Sequence, residues 1–136
     1  MVKYGYILIF SFLVVIIFNS CNNKDCDYSD CLPSEPYEST VTIKVTINEE
    51  NPKVPIFIYK GRYNQTDELI YSDTAKEEYY KIILPLNHYY YVKAKYQKNS
   101  DTIYAIDGVF FKKFLSQECD SSCWKIKNNI INVKLK

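Results

Sequence analysis

Residues 40 to 47 (TVTIKVTI) put Val41, Ile43, Val45 and Ile47 on one side and Thr40, Thr42, Lys44 and Thr46 on the other. A two-residue period of this kind suits an extended strand with one buried face. The period returns at residues 89 to 96 (YYYVKAKY), with Tyr90, Val92, Ala94 and Tyr96 on one face and Lys93 and Lys95 on the other. Shorter β-branched or aromatic runs lie at 54 to 60, 68 to 71, 79 to 84, 102 to 106, 109 to 114 and 130 to 135. Pro55 puts the start of the first of these on an edge or an irregular segment, and Asp107-Gly108 is a two-residue hairpin signal. Only residues 112 to 117 leave room for a short helical turn, so crossover helices for a parallel sheet are missing. The expectation is all-β, a single antiparallel β-sandwich of about seven strands.

The N-terminus is of another kind. Tyr6 to Phe18 (YILIFSFLVVIIF) carries no charge and follows Lys3, the arrangement of a secretory signal peptide. At roughly 13 to 15 residues it is short of the roughly 20 that span a bilayer, which sets a signal peptide over 1–20 against the alternative of an uncleaved transmembrane anchor. The window Phe18-Asn19-Ser20-Cys21 resembles a relaxed bacterial lipobox of the kind seen in Bacteroidetes-like bacteria. That resemblance implies that Cys21 is the lipidated first residue of the mature protein, carrying at least two acyl chains, enough for stable anchoring.

The remainder divides into the lipidated cysteine and an acidic spacer, 21–38, and the sandwich, 39–136. Residues 22 to 38 (NNKDCDYSDCLPSEPYE) show neither strand nor helix period and read as a flexible tether. Lys24-Asp25-Cys26-Asp27 resembles the acid-rich export signal of surface-displayed lipoproteins, so the expected location is the cell envelope, at the outer membrane, facing either the surface or the periplasm. Without Lys3 the chain has 16 basic and 16 acidic residues, and a neutral chain is a poor partner for nucleic acid. The charge is uneven: residues 21 to 50 hold two bases against seven acids, and residues 51 to 136 hold 14 bases against nine acids.

Four cysteines remain once Cys21 carries lipid. Their spacing suggests local disulfides, Cys26 with Cys31 and Cys119 with Cys123, among three possible connectivities. Loops so short would contribute only about 2 kcal/mol each. Neither C-x4-C nor C-x3-C has the spacing of common zinc knuckles, so no metal is expected.

Catalytic patterns are sparse. His88 lies in a turn with no nucleophile motif beside it, three glycines make no phosphate-cradling loop, and Glu77 and Glu78 would point to opposite faces of a strand. No enzyme activity and no cofactor is expected. The 14 tyrosines, among them Tyr79-Tyr80 and Tyr89-Tyr90-Tyr91, have two readings. Alternation turns Tyr89 and Tyr91 outward as a possible binding face for a glycan or an envelope protein; tyrosine is also simply a good strand former in a Lys-, Asn- and Ile-rich chain. Trp124 is expected to pack under the Cys119 loop. Asp73-Thr74-Ala75 and Asp101-Thr102-Ile103 resemble acceptor sites for O-glycosylation in exported Bacteroidetes proteins, at Thr74 and Thr102. Leu84-Pro85 followed by a tyrosine-rich strand ending in Ala94-Lys95-Tyr96 resembles prealbumin-like or immunoglobulin-like modules of exported proteins, a likeness that carries no functional residues. Three functions are open: a membrane-anchored noncatalytic binding or assembly module, a structural subunit of an envelope complex, and a small hydrolase built around His88.

Overall fold

The computed structural model describes Cys26, residues 28–65 and residues 68–136. The signal peptide, Cys21 and the Lys24-Asp25 and Asp27 positions lie outside the described residues. The described chain is all-β, with strands β1 (Glu38–Lys44), β2 (Val54–Lys60), β3 (Glu68–Ala75), β4 (Tyr79–Pro85), β5 (His88–Lys98), β6 (Asp101–Glu118), β7 (Ser121–Lys127) and β8 (Ile130–Asn132). They form a three-stranded sheet, β4-β1-β8, and a five-stranded sheet, β3-β2-β5-β6-β7.

The two alternating segments behave as their period requires. Val41, Ile43 and Val45 on one sheet, and Tyr90, Val92, Ala94 and Tyr96 on the other, are buried and meet in the core with Ile56, Ile58, Phe111 and Ile131. Burying tyrosine needs a partner for its hydroxyl. Tyr96 Oη donates to the Val133 carbonyl at 2.8 Å and accepts from the Thr46 N–H at 3.0 Å, while Tyr90 Oη donates to the Pro85 carbonyl at 2.9 Å. Asn51, the one buried polar residue among those described, exchanges two hydrogen bonds with the Gln97 backbone at 2.9 and 2.8 Å and so ties the β1–β2 loop to β5.

Three local expectations are corrected. Asp107-Gly108 makes no hairpin: β6 runs through it unbroken, each residue paired with β5 or β7. The turns lie instead at Asn99-Ser100, both with positive φ, and after Glu118, where Cys119 has φ 49°. Residues 112 to 117 are strand rather than helical turn, held in register with β7. β8 pairs with β1 in parallel, which needs no crossover helix because the whole intervening domain serves as the connection.

The cysteine pairing is also corrected. The bridges are Cys26–Cys119 and Cys31–Cys123, with Cα–Cα distances of 6.1 and 5.3 Å and sequence separations of 93 and 92. Cys119 sits in the β6–β7 turn while Cys123 lies on extended β7 from Ser121 on, at about 3.3 Å per residue, so the two are not closed into a local loop. The expected free spacer is docked instead: Leu32 pairs with β7, Glu35 and Pro36 lie against Lys113 of β6, and the Tyr37 carbonyl accepts from the Leu86 N–H. Leu32 and Trp124 exchange backbone hydrogen bonds of 2.9 and 3.0 Å, and Lys113 pairs with Glu35 at 2.8 Å and donates to the Pro36 carbonyl at 2.8 Å. This segment covers an edge strand that would otherwise present unpaired backbone groups. Trp124 is half-buried beside it, with Lys113 Nζ 5.8 Å from its ring.

Candidate functional site

The outer face of the five-stranded sheet is built by the residues that alternation leaves over. On β2 these are Phe57 and Tyr59, on β5 Tyr89, Tyr91, Lys93 and Lys95, and on β6 Tyr104, Ile106, Gly108 and Phe110, placed side by side by the register Tyr59↔Tyr91↔Gly108, Phe57↔Lys93↔Ile106 and Lys95↔Tyr104. Gly61, with φ 119°, ends β2 in a conformation that favours glycine. The turn that follows, closed by the Gln65 N–H to the Arg62 carbonyl at 3.0 Å, folds Arg62 and Tyr63 back over the sheet.

Tyr89 and Tyr91 both point outward, but their surroundings differ. Tyr89 is 37% exposed, tilted against Phe110 at 4.6 Å between ring centroids, with the Arg62 guanidinium 4.1 Å from its ring centre. Arg62 also donates to Tyr89 Oη. Tyr91 is only 2% exposed, which corrects its expected place on the solvated surface. Its ring stacks on Tyr59 at 4.7 Å and 2° between planes, and Tyr63 closes over it edge-on at 5.5 Å. Cross-strand packing, invisible to alternation, buries an outward-facing side chain.

Lys93 is the centre of this cluster. Its Nζ lies 4.8, 5.4 and 5.6 Å from the rings of Tyr59, Tyr63 and Tyr91, each within cation–π reach. Among the described residues neither Lys93 nor Arg62 forms an ion pair with a carboxylate. Asp107, the nearest acid in β6, falls on the opposite face by alternation and accepts from the Asn132 N–H at 2.8 Å. Two adjoining grooves result. One, of about 390 Å³, is lined by Arg62, Tyr63, Tyr89, Tyr91, Ile106 and Gly108 among others; the second, of about 460 Å³, is lined by Phe57, Tyr59, Tyr63, Lys93, Tyr104 and Ile106. Both lie in the size range of small-ligand sites, about 300 to 1,000 Å³.

His88 begins β5 and lines a neighbouring hollow with Lys60, Arg62, Glu68 and Tyr89; no serine or cysteine joins it among the described residues. Thr74 and Thr102 are both exposed, on edge strand β3 and at the start of β6. Beside Thr74, Asp73 accepts from Tyr80 Oη at 2.7 Å and from the Thr74 N–H at 2.6 Å. These bonds hold its carboxyl below the ordinary value of 3.8, and burial together with Asp73 pushes the Tyr80 phenol up.

Alternation in residues 89 to 96 turns Tyr89 and Tyr91 outward with Lys93, whereas nothing in the sequence marks Tyr59, Arg62, Tyr63 and Tyr104 as their neighbours. The available signal was the outward register of Phe57 and Tyr59 in residues 54 to 60, but only the pairing of β2 with β5 puts them beside Tyr91. Comparison with family models, with curated proteins and with solved structures finds no match.

Proposed function

We propose that this chain is a lipid-anchored lipoprotein of the cell envelope whose sandwich acts as a noncatalytic binding module. The observation that carries the binding role is the pair of grooves on the outer face, with exposed Tyr63, Tyr89 and Tyr104 around two cations that have no carboxylate partner among the described residues. Aromatic and arginine side chains with both an apolar surface and a polar tip are what recognition sites concentrate.

The anchor rests on the apolar run, Ser20 and Cys21. With acyl chains on Cys21, five residue steps reach Cys26, at most about 18 Å of extended chain. Because Cys26 is bridged to Cys119, the β6–β7 turn would stand near the membrane. The short reach favours an envelope-proximal ligand.

A second reading, a structural subunit of an envelope complex, is favoured by β3. This strand is the edge of the five-stranded sheet and exposes Leu69, Ile70 and Tyr71, and a free edge can take a partner strand. Photo-crosslinking from position 104 on the groove or position 70 on the edge, in intact envelopes, separates the two. Adducts from 104 support the binding face, adducts from 70 alone favour strand addition, and adducts from neither contradict both.

A further inference from the structure

We propose that the two grooves on the outer face take an acidic carbohydrate, a glycan bearing carboxylate or sulfate groups; this rests on the outer face being a binding face. Three observations point to that class. The outward positions of β2, β5 and β6 from Phe57 through Phe110 contain Lys93 and Lys95 and no carboxylate, and Arg62 is folded over them. An anion on this face therefore meets Lys93, Lys95 and Arg62, while Asp107, which also lines the first groove, is engaged by the Asn132 N–H. The cations are already held against rings, Lys93 by Tyr59, Tyr63 and Tyr91 and Arg62 by Tyr89, so little rotamer freedom remains to be lost on binding. Finally, the rings themselves are all tyrosine along both grooves except Phe57, with Ile106 between them. Flat rings with hydroxyl tips can stack on the C–H faces of a sugar and hydrogen-bond to its hydroxyls.

An acidic protein partner fits less well. Lysine is depleted in the desolvated cores of protein interfaces, and here Lys93 occupies the middle of the patch. A glycan needs only the grooves, whose volumes of about 390 and 460 Å³ suit two or more sugar units in adjoining subsites. The Cβ-free position at Gly108 forms part of the floor of the first groove.

The test is binding of the detergent-solubilised full chain to three immobilised polysaccharides: polygalacturonate, heparin and neutral dextran. Both acidic polymers should bind and dextran should not. Lys93→Gln with Arg62→Gln should weaken binding at least tenfold, as expected for loss of charge-assisted contacts, while Lys127→Gln, exposed at the end of β7, should leave it unchanged. Tyr104→Ala, a surface change that should spare the fold, gives an uncharged check on the stacking contribution and should also weaken binding. Equal binding to dextran, or equal loss from Lys127→Gln, overturns the proposal. So does failure of both acidic polymers to bind. If they fail while an envelope protein crosslinks at position 104 and is lost in the Lys93→Gln variant, the binding face survives and the acidic glycan does not. If there is neither polysaccharide binding nor crosslinking at 104, both readings fall.

Discussion

Gly108 and Tyr91 are direct partners across β6 and β5, and a Cβ built on Gly108 would stand 2.8 Å from Tyr91 Cβ and 2.9 Å from the Tyr90 carbonyl oxygen. That spacing leaves no room for any side chain at position 108. Gly108→Ala should therefore destabilise the domain by about 1 to 3 kcal/mol through overpacking against backbone. Denaturant unfolding checks this. A neutral Gly108→Ala would show that the two strands are not in this register.

The second prediction separates the three consecutive tyrosines. Tyr90→Ala opens the core and should cost about 3 to 5 kcal/mol. Tyr91→Ala removes a ring stacked on Tyr59 and covered by Tyr63 and should cost about 2 kcal/mol, from lost area and ring contacts. Tyr89→Ala, on the exposed rim, should cost under about 1 kcal/mol. The order Tyr90, Tyr91, Tyr89 is the measurable content, and a surface-like response at Tyr91 would contradict the stacked cluster.

Much of this was legible in residues 40 to 47 and 89 to 96, because a two-residue period admits one buried face and the core chose it. What failed had specific causes. Asp107-Gly108 has the composition of a tight turn, yet the glycine is there to clear Tyr91; the actual turn at Asn99-Ser100 carries a weaker signal for the same positive φ. Cys26 and Cys31 are close in sequence to each other and far from Cys119 and Cys123, and only the docking of Leu32 on β7 and Glu35 on β6 reverses the pairing. The cluster around Lys93 draws on two strands and a loop, so no single stretch of sequence contains it.

The disulfides give a third prediction. Nonreducing peptide mapping should recover Cys26 with Cys119 and Cys31 with Cys123. In the chain-entropy description either bridge alone closes a loop of more than 90 residues, a contribution of about 4 to 5 kcal/mol. Once one is present, the second closes a circuit of only about ten residues and adds about 3 kcal/mol. Removing either pair by serine should cost about 3 kcal/mol, and removing both about 7, a large share of the stability of a domain this size. Bridges within each close pair would contradict the docked segment.

Asp73 supplies a pH prediction. Its carboxyl is held below its ordinary 3.8 chiefly by the Tyr80 hydroxyl and then by the Thr74 N–H. A folded value below the unfolded one means the group favours the folded state above the ordinary carboxylate range, and that this contribution is lost as pH falls through the folded value. NMR titration of the Asp73 carboxyl should give a midpoint below 3.8, and Tyr80→Phe should move it upward. An unchanged midpoint in Tyr80→Phe would exclude the hydroxyl as the cause.

The central claim, that the outer face is where this module binds, is tested most directly by tyrosine footprinting of the same protein in native envelopes and after purification in detergent. Tyr63, Tyr89 and Tyr104 line the grooves, while Tyr79, 54% exposed on the other sheet, is the internal reference. Relative to Tyr79, the three groove tyrosines should be several-fold less reactive in the envelope than in the purified protein. Equal reactivity of Tyr63, Tyr89 and Tyr104 in the two states, measured against the same reference, would contradict it.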